Sequence, residues 1–140
     1  MQAIYIVSLD IISYMIYTET VEEYKVKFYT DRTTGKSPVL DYIKELGDKE
    51  EAKIAKYIEF LRINKGYLDE PYSRHIEGKI RELRIDFGKN RHRVFYFVFI
   101  KKTIILLHAS MKKTAKTPVG EIQKAQENYQ EVAKNPKIYE

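Results

Sequence analysis

"KIRELRIDFGKNRHRVFYFVFIKKTIILLHAS" spans Lys79 to Ser110, and its patterning decides the fold. Its first part alternates, with Leu83, Ile85 and Phe87 on one side and Glu82, Arg84 and Asp86 on the other, the period-two mark of a strand. Gly88-Lys89-Asn90 reads as a tight turn. Arg91–Ile100 is almost wholly apolar after its start, as expected of a central strand, so Tyr96, Phe97 and Phe99 read as core. Lys101-Lys102 turns the chain again, and Thr103–Ser110 is the next strand. Strands joined this closely form an antiparallel meander.

Upstream, "EYKVKFYTD" (Glu23–Asp31) alternates and is rich in aromatic and β-branched residues, so it predicts a further strand, and "RTTGK" a turn. Ser37-Pro38 has the form of an N-cap followed by proline at the first helical position. The short helix it starts turns Val39, Leu40 and Ile43 inward, carries Leu46 near its end and stops at Gly47. Asp48 with Glu51 suggests a capping box for a second helix reaching about Asn64. Ile54, Ile58 and Leu61 form its apolar stripe, and Gly66 closes it. "YLDEPYSRHIEG" (Tyr67–Gly78) reads as a loop. Downstream, Thr117-Pro118 caps a last helix with Ile122, Ala125, Tyr129 and Val132 as its buried stripe. The predicted order is β-α-α-β-β-β-α. This is an α+β domain whose N-terminal helical hairpin packs on one face of a mostly antiparallel sheet, leaving the other face for chemistry.

The chain has 140 residues, 44% of them hydrophobic, which suits one domain with a real core. It contains no cysteine, which excludes a disulfide scaffold, a thiolate zinc site and a cysteine nucleophile. The net charge of +5 is unevenly spread. Lys79–Lys116 carries eleven Lys/Arg against two acids, a local +9, whereas residues 1–78 sum to −3 and residues 117–140 to −1. A localised positive field points to a polyanion such as nucleic acid; a solvated lysine-rich surface is the plain alternative. The apolar N-terminal run Ile4–Tyr17 contains Asp10, lacks a basic flank and is too short to span a bilayer comfortably, so it reads as neither signal nor anchor. Two readings of it stay open. One is an extra element packed on the domain; the other is an upstream extension, with the functional chain starting near Met15.

An antiparallel meander brings the start of one strand beside the end of the next. Arg91 and Arg93 should therefore lie near Ser110–Lys113 and near Phe87, with Lys112, Lys113 and Lys116 following the third strand. Arg81 and Arg84 fall on opposite faces unless a bulge intervenes. Arginine supplies a planar fork for phosphate, and a lysine amine crowded by cations falls in pKa and becomes a candidate acid or base. Arg93 stands before a buried run, so it is either paired, with Asp86 as the candidate, or reserved for an anionic ligand. His108 is the one group here whose ordinary pKa lies near neutrality; its place in "LLHAS" equally suits a satisfied core histidine. His75 and His92 read as surface residues, and the scattered histidines show no metal-ligand spacing. There is no P-loop, no dinucleotide glycine fingerprint and no hydrolase elbow.

The element order, the "ELRIDFGKNRHRVFYFV" hairpin and above all "LLHASMKKTAKTPVGEIQKAQ" resemble the RelE/ParE toxin superfamily, and most closely its HigB-like, often phage-borne branch. The resemblance covers roughly Tyr24 to Lys134 and makes residues 23–135 the toxin domain, with 1–22 outside the family pattern and 136–140 a tail. It implies a cytoplasmic, cofactor-free and metal-independent endoribonuclease, an mRNA interferase acting in the ribosomal A site. It implies no membrane association and a cognate antitoxin, commonly a helix-turn-helix protein. In such enzymes the 2′-OH of a codon nucleotide attacks the adjacent phosphate. Carried onto this sequence, Arg84 and Arg93 clamp that phosphate and Lys112 and Lys113 stabilise the transition state. His108 positions groups or assists proton transfer, while Arg81, Arg91 and Lys116 hold mRNA or rRNA backbone. Two alternatives compete: a ParE-like gyrase poison, which needs no ribonuclease cluster, and a non-enzymatic nucleic-acid-binding regulatory module.

Overall fold

A computed structural model describes residues 23–140; the expected extension at 1–22 lies outside the described residues. The elements are β1 (Lys25–Phe28), α1 (Pro38–Lys44), α2 (Asp48–Ile63), β2 (Ser73–Glu77), β3 (Ile80–Phe87), β4 (Asn90–Phe99), β5 (Thr103–Met111) and α3 (Val119–Lys134). The α+β class stands, with a sheet ordered β1-β5-β4-β3-β2, antiparallel except for the parallel β1–β5 pair. No helix among the described residues is long and apolar enough to cross a membrane.

The order departs from the expectation by one strand. Ser73–Glu77, read as loop, is β2, so the sequence of elements is β-α-α-β-β-β-β-α. An edge strand needs little apolar patterning, and in "SRHIE" only Ser73 is buried. Its order comes from hydrogen bonding to β3 rather than from a hydrophobic face.

A second correction concerns the faces. Leu83, Ile85, Val94, Tyr96, Ile104 and Leu106 meet α1 and α2 through Val39, Ile43, Ile54 and Leu61. On the other side Ile80, Phe95, Phe97, Ile105 and Leu107 meet Ala125 and Val132 of α3. Helices thus cover both faces and no open face remains for chemistry. What remains is the end of the sheet where β5 runs out and α3 begins.

The helix starts follow the local signals only in part. Ser37 is the N-cap of α1 with Pro38 at its start, but its hydroxyl donates to the Tyr29 carbonyl (3.0 Å) and not to the helix. Gly47 is the N-cap of α2, so the capping box does not form; Asp48, Glu50 and Glu51 instead place negative charge in the first turn, against the helix dipole. Pro118, rather than Thr117, caps α3. Lys101 and Lys102 both turn with φ of 55°. Residues Pro136–Tyr139 form a 3-10 turn that buries the Tyr139 ring in the α3-side core.

The pairing of β4 with β5 contains the feature that most affects the site. Phe95 is opposite His108, yet Tyr96 is opposite Leu106, so Leu107 is the extra residue of a β-bulge. Simple alternation from Ile105 and Leu107 would send His108 toward α1 and α2. The bulge returns His108 to the α3 side, where it stacks on Phe95 with ring centroids 6.1 Å apart. Two residues on, Ser110 pairs with Arg93.

Candidate active site

The core of the site is a row across three strands. Arg84 of β3 is opposite Arg93 of β4, and Arg93 is opposite Ser110 of β5. Two adjacent guanidinium groups repel, and the fold places Glu82 of β3 between them. Its fully buried carboxylate lies 3.7 Å from Arg84 Nε and 3.9 Å from Arg93 Nε. Those separations give charge compensation without a hydrogen bond. Glu82 Oε1, Arg84 Nε and Arg93 Nε are all buried without a hydrogen-bond partner. Glu82 Oε2 accepts from the Thr117 hydroxyl (3.1 Å), which fastens the loop before α3 to the sheet. Arg93 also donates through Nη1 to Asp86 (3.0 Å) and to the His92 carbonyl (2.9 Å). The pairing with Asp86 raised from the sequence is present; the burial of Arg93 at 2% exposure is tolerated because two carboxylates face it.

Lys112 enters where β5 ends, its backbone N–H donating to the Arg91 carbonyl (2.7 Å). Burial and then the Arg93 guanidinium push its amine below the usual lysine range; Glu82 opposes this, and Arg84 and Arg74 add to it. His108 and Glu121 of α3 form the second half of the site, with Nε2 2.6 Å from the carboxylate. A carboxylate only accepts, so His108 carries a proton on Nε2, which leaves Nδ1 as the acceptor whenever the ring holds a single proton. Burial works against the Glu121 charge, but the hydrogen bond and charge of His108, with help from Lys124 and the Ser110 hydroxyl, hold the carboxyl below its ordinary value.

Of the expected residues, Arg84, Arg93, Lys112 and His108 converge on this α3-side end. Arg91 is exposed on the same face of β4, opposite Asp86. Lys113 and Lys116 are exposed in the segment joining β5 to α3. Arg81 is not brought to the cluster. It lies on the α1–α2 face, hydrogen-bonded to Ser73 (3.1 Å) and Tyr96 (3.3 Å) and stacked over Tyr67. Glu82, Ser110 and Glu121 border these residues without a sequence signal of their own: Glu82, an acid inside a basic segment, reads as diluting charge, Ser110 as the end of a strand and Glu121 as an ordinary residue of the last helix.

His92, expected at the surface, is fully buried. Its Nδ1 accepts from the Tyr42 hydroxyl (2.7 Å), and its Nε2 donates to Glu50, which Asn90 also contacts (2.9 Å). Burial, then the Glu50 charge, pushes the Tyr42 hydroxyl up to about 12, while hydrogen bonds from Asn90 and His92 lower Glu50. This network ties α1 and α2 to the β3–β4 turn and so fixes the strands that present Arg84 and Arg93. A histidine next to exposed Arg91 looks solvated in one dimension; strand alternation puts it under the helices.

Fold and site together define a small α+β domain with a cationic cluster around one buried carboxylate at the sheet end. Residues 41–130 match the family described as phage derived protein Gp49-like (DUF891), and the chain belongs to that family, one of the RelE-like toxin families. No curated protein matches the chain.

Proposed function

We propose that the chain is the toxin of a toxin–antitoxin pair and a metal-independent, HigB-like endoribonuclease acting on mRNA in the ribosomal A site. Its partner is a cognate antitoxin, and it acts in the cytoplasm. Membership of the Gp49-like family supports the toxin reading. One observation carries the chemistry: two adjacent guanidinium groups keep buried, unpartnered Nε donors beside a lysine of lowered pKa. Orphaned buried donors are costly, and a phosphate that approaches the partly exposed Arg84 and competes with Glu82 for the pair gains charge-assisted bonds.

The reaction balances with groups at this end of the sheet. The ribose 2′-oxygen attacks the adjacent phosphorus while its proton passes to a base. The bond from phosphorus to the 5′-oxygen breaks, leaving a 2′,3′-cyclic phosphate, and the 5′-oxygen takes up a proton from whichever of Lys112 and His108 does not serve as the base. Neutral Lys112 or Nδ1 of His108 can accept the first proton. Arg84, Arg93 and the Lys113 ammonium stabilise the added phosphoryl charge. Glu121 holds His108 in the tautomer this requires.

Induced expression in bacteria, with transcriptome-wide mapping of mRNA 5′ ends, tests the reading. Cleavage confined to translated messages is the expected result. Growth arrest with intact mRNA and DNA damage would point to gyrase instead. Lys112→Ala with Lys113→Ala should abolish toxicity while circular dichroism stays native. Each single change should slow cleavage by roughly 10²–10³, the usual cost of one transition-state charge contact; a fully toxic double variant refutes the assignment.

A further inference from the structure

At the outer edge of β3 the sheet leaves a gap. The Arg84 N–H bonds to the Tyr72 carbonyl (2.9 Å), and β2 pairs with β3 only from Ile80 to Leu83. Around the uncovered stretch lies a cavity of about 180 Å³ lined by Lys53, Tyr57, Pro71, Tyr72, Arg84 and Asp86. A second cavity of about 280 Å³ shares Tyr57 and Tyr72 as a wall and continues over Phe60, Asn64 and Leu68. Arg84, one of the two phosphate-facing arginines, therefore borders an aromatic pocket on the far side of the sheet edge.

The lining has the chemistry of a nucleobase site. Tyr57 and Tyr72 stand 6.2 Å apart at 60°, and Tyr72 is half exposed, so its ring offers a free surface. The Lys53 ammonium lies 5.8 Å above the Tyr57 ring and donates to the Asp86 carbonyl, adding positive charge at the mouth. Asp86, held by Arg93, presents acceptor oxygens suited to a base amino group. Single-stranded RNA is typically held in this way, by cations on its backbone and aromatic rings on its bases.

Resting on the ribonuclease reading above, we propose that the Tyr57–Tyr72 pocket is a nucleobase subsite. It receives a base of the RNA next to the phosphate held by Arg84 and Arg93, and stacks it on Tyr72. The pocket makes the enzyme selective for what flanks the cleaved bond, and gives Tyr72 a positioning role.

Purified protein, ribosomes and defined mRNAs test this. Tyr72→Leu should slow cleavage roughly tenfold or more, in line with the loss of one stacked base, while Tyr72→Phe keeps the wild-type rate. Removing the flanking base from the mRNA (an abasic nucleotide) should slow the wild type by a similar factor and leave Tyr72→Leu unaffected. In a separate arm, RNA carrying 4-thiouridine is photo-cross-linked to the Lys112→Ala, Lys113→Ala variant and the adduct mapped by mass spectrometry. An adduct on Tyr57 or Tyr72 supports the subsite even where the wild type cleaves nothing, an outcome that would sink the ribonuclease reading alone. Adducts confined elsewhere, or a Tyr72→Leu enzyme that cleaves at the wild-type rate, overturn the proposal. So does a Tyr72→Leu toxin that cleaves normally yet escapes neutralisation by its antitoxin, which would make the pocket a protein-docking surface.

Discussion

Burial and the neighbouring Arg93 guanidinium hold the Lys112 amine below its ordinary 10.5, so the folded state disfavours the charged form. The stability cost is full below the folded value, where the amine is charged in folded and unfolded chains alike. It fades as pH rises through the folded value toward the unfolded one. Lys112→Met should therefore raise Tm at neutral pH by a few degrees at most, with the gain shrinking in alkali and toxicity lost. Thermal melts across pH check the first part and growth assays the second. Glu82 is the opposite case: it has no exposure and stands between two arginines. Glu82→Gln should cost about 3 kcal/mol in urea unfolding, at the low end for a broken buried pair because Asp86 still faces Arg93. Neither effect is visible in the one-dimensional string, where Glu82 is simply the acid between Arg81 and Arg84.

At the scale of elements, the site depends on two junctions. The first is α3 against β5, closed by Glu121 with His108 and Ser110. The Glu121 carboxyl is held below 4.5 in the fold, so it contributes stability above the unfolded value, and that contribution is lost as pH falls through the folded one. Glu121→Gln should flatten the acid limb of a stability–pH profile and release the His108 ring, seen as altered imidazole NMR shifts. The second is the end of α2, where Gly66 has φ of +84° and a Cβ there would stand 2.3 Å from Val98 Cγ2. Gly66→Ala should destabilise by about 2 kcal/mol or more, and Val98→Ala should recover part of it in a double-mutant cycle of unfolding energies. The end of α2 at a glycine was legible in the sequence; the closeness of Val98 was not, because residues 32 positions apart meet only once β4 crosses under the helix.

For the molecule as a whole, charge and covering decide behaviour. The segment Lys79–Lys116 carries a local +9, and part of it gathers at one sheet end. If about four phosphates of single-stranded RNA are contacted there, affinity should fall roughly 10- to 100-fold between 50 and 200 mM salt, measurable by fluorescence anisotropy. The meander, the helical hairpin, the last helix and the basic segment all follow from local patterning. Alternation, capping residues and charge counts are properties of neighbours in the chain; they determined the α+β class and a basic cluster at one sheet end, while the grouping of Arg84, Arg93, Lys112, Lys113 and His108 came from the family resemblance. Only tertiary structure decided the rest. β2 exists because β3 offers an edge to pair with. The bulge at Leu107 turns His108 toward α3, and Arg81 is left on the wrong face. Glu82 stands between Arg84 and Arg93, and His92 joins Tyr42 to Glu50, because strand pairing buries them among partners far away in sequence. Local order is carried by short-range sterics and hydrophobic period; the pairing of buried charges is carried by contacts between strands, which the order of residues along the chain does not display.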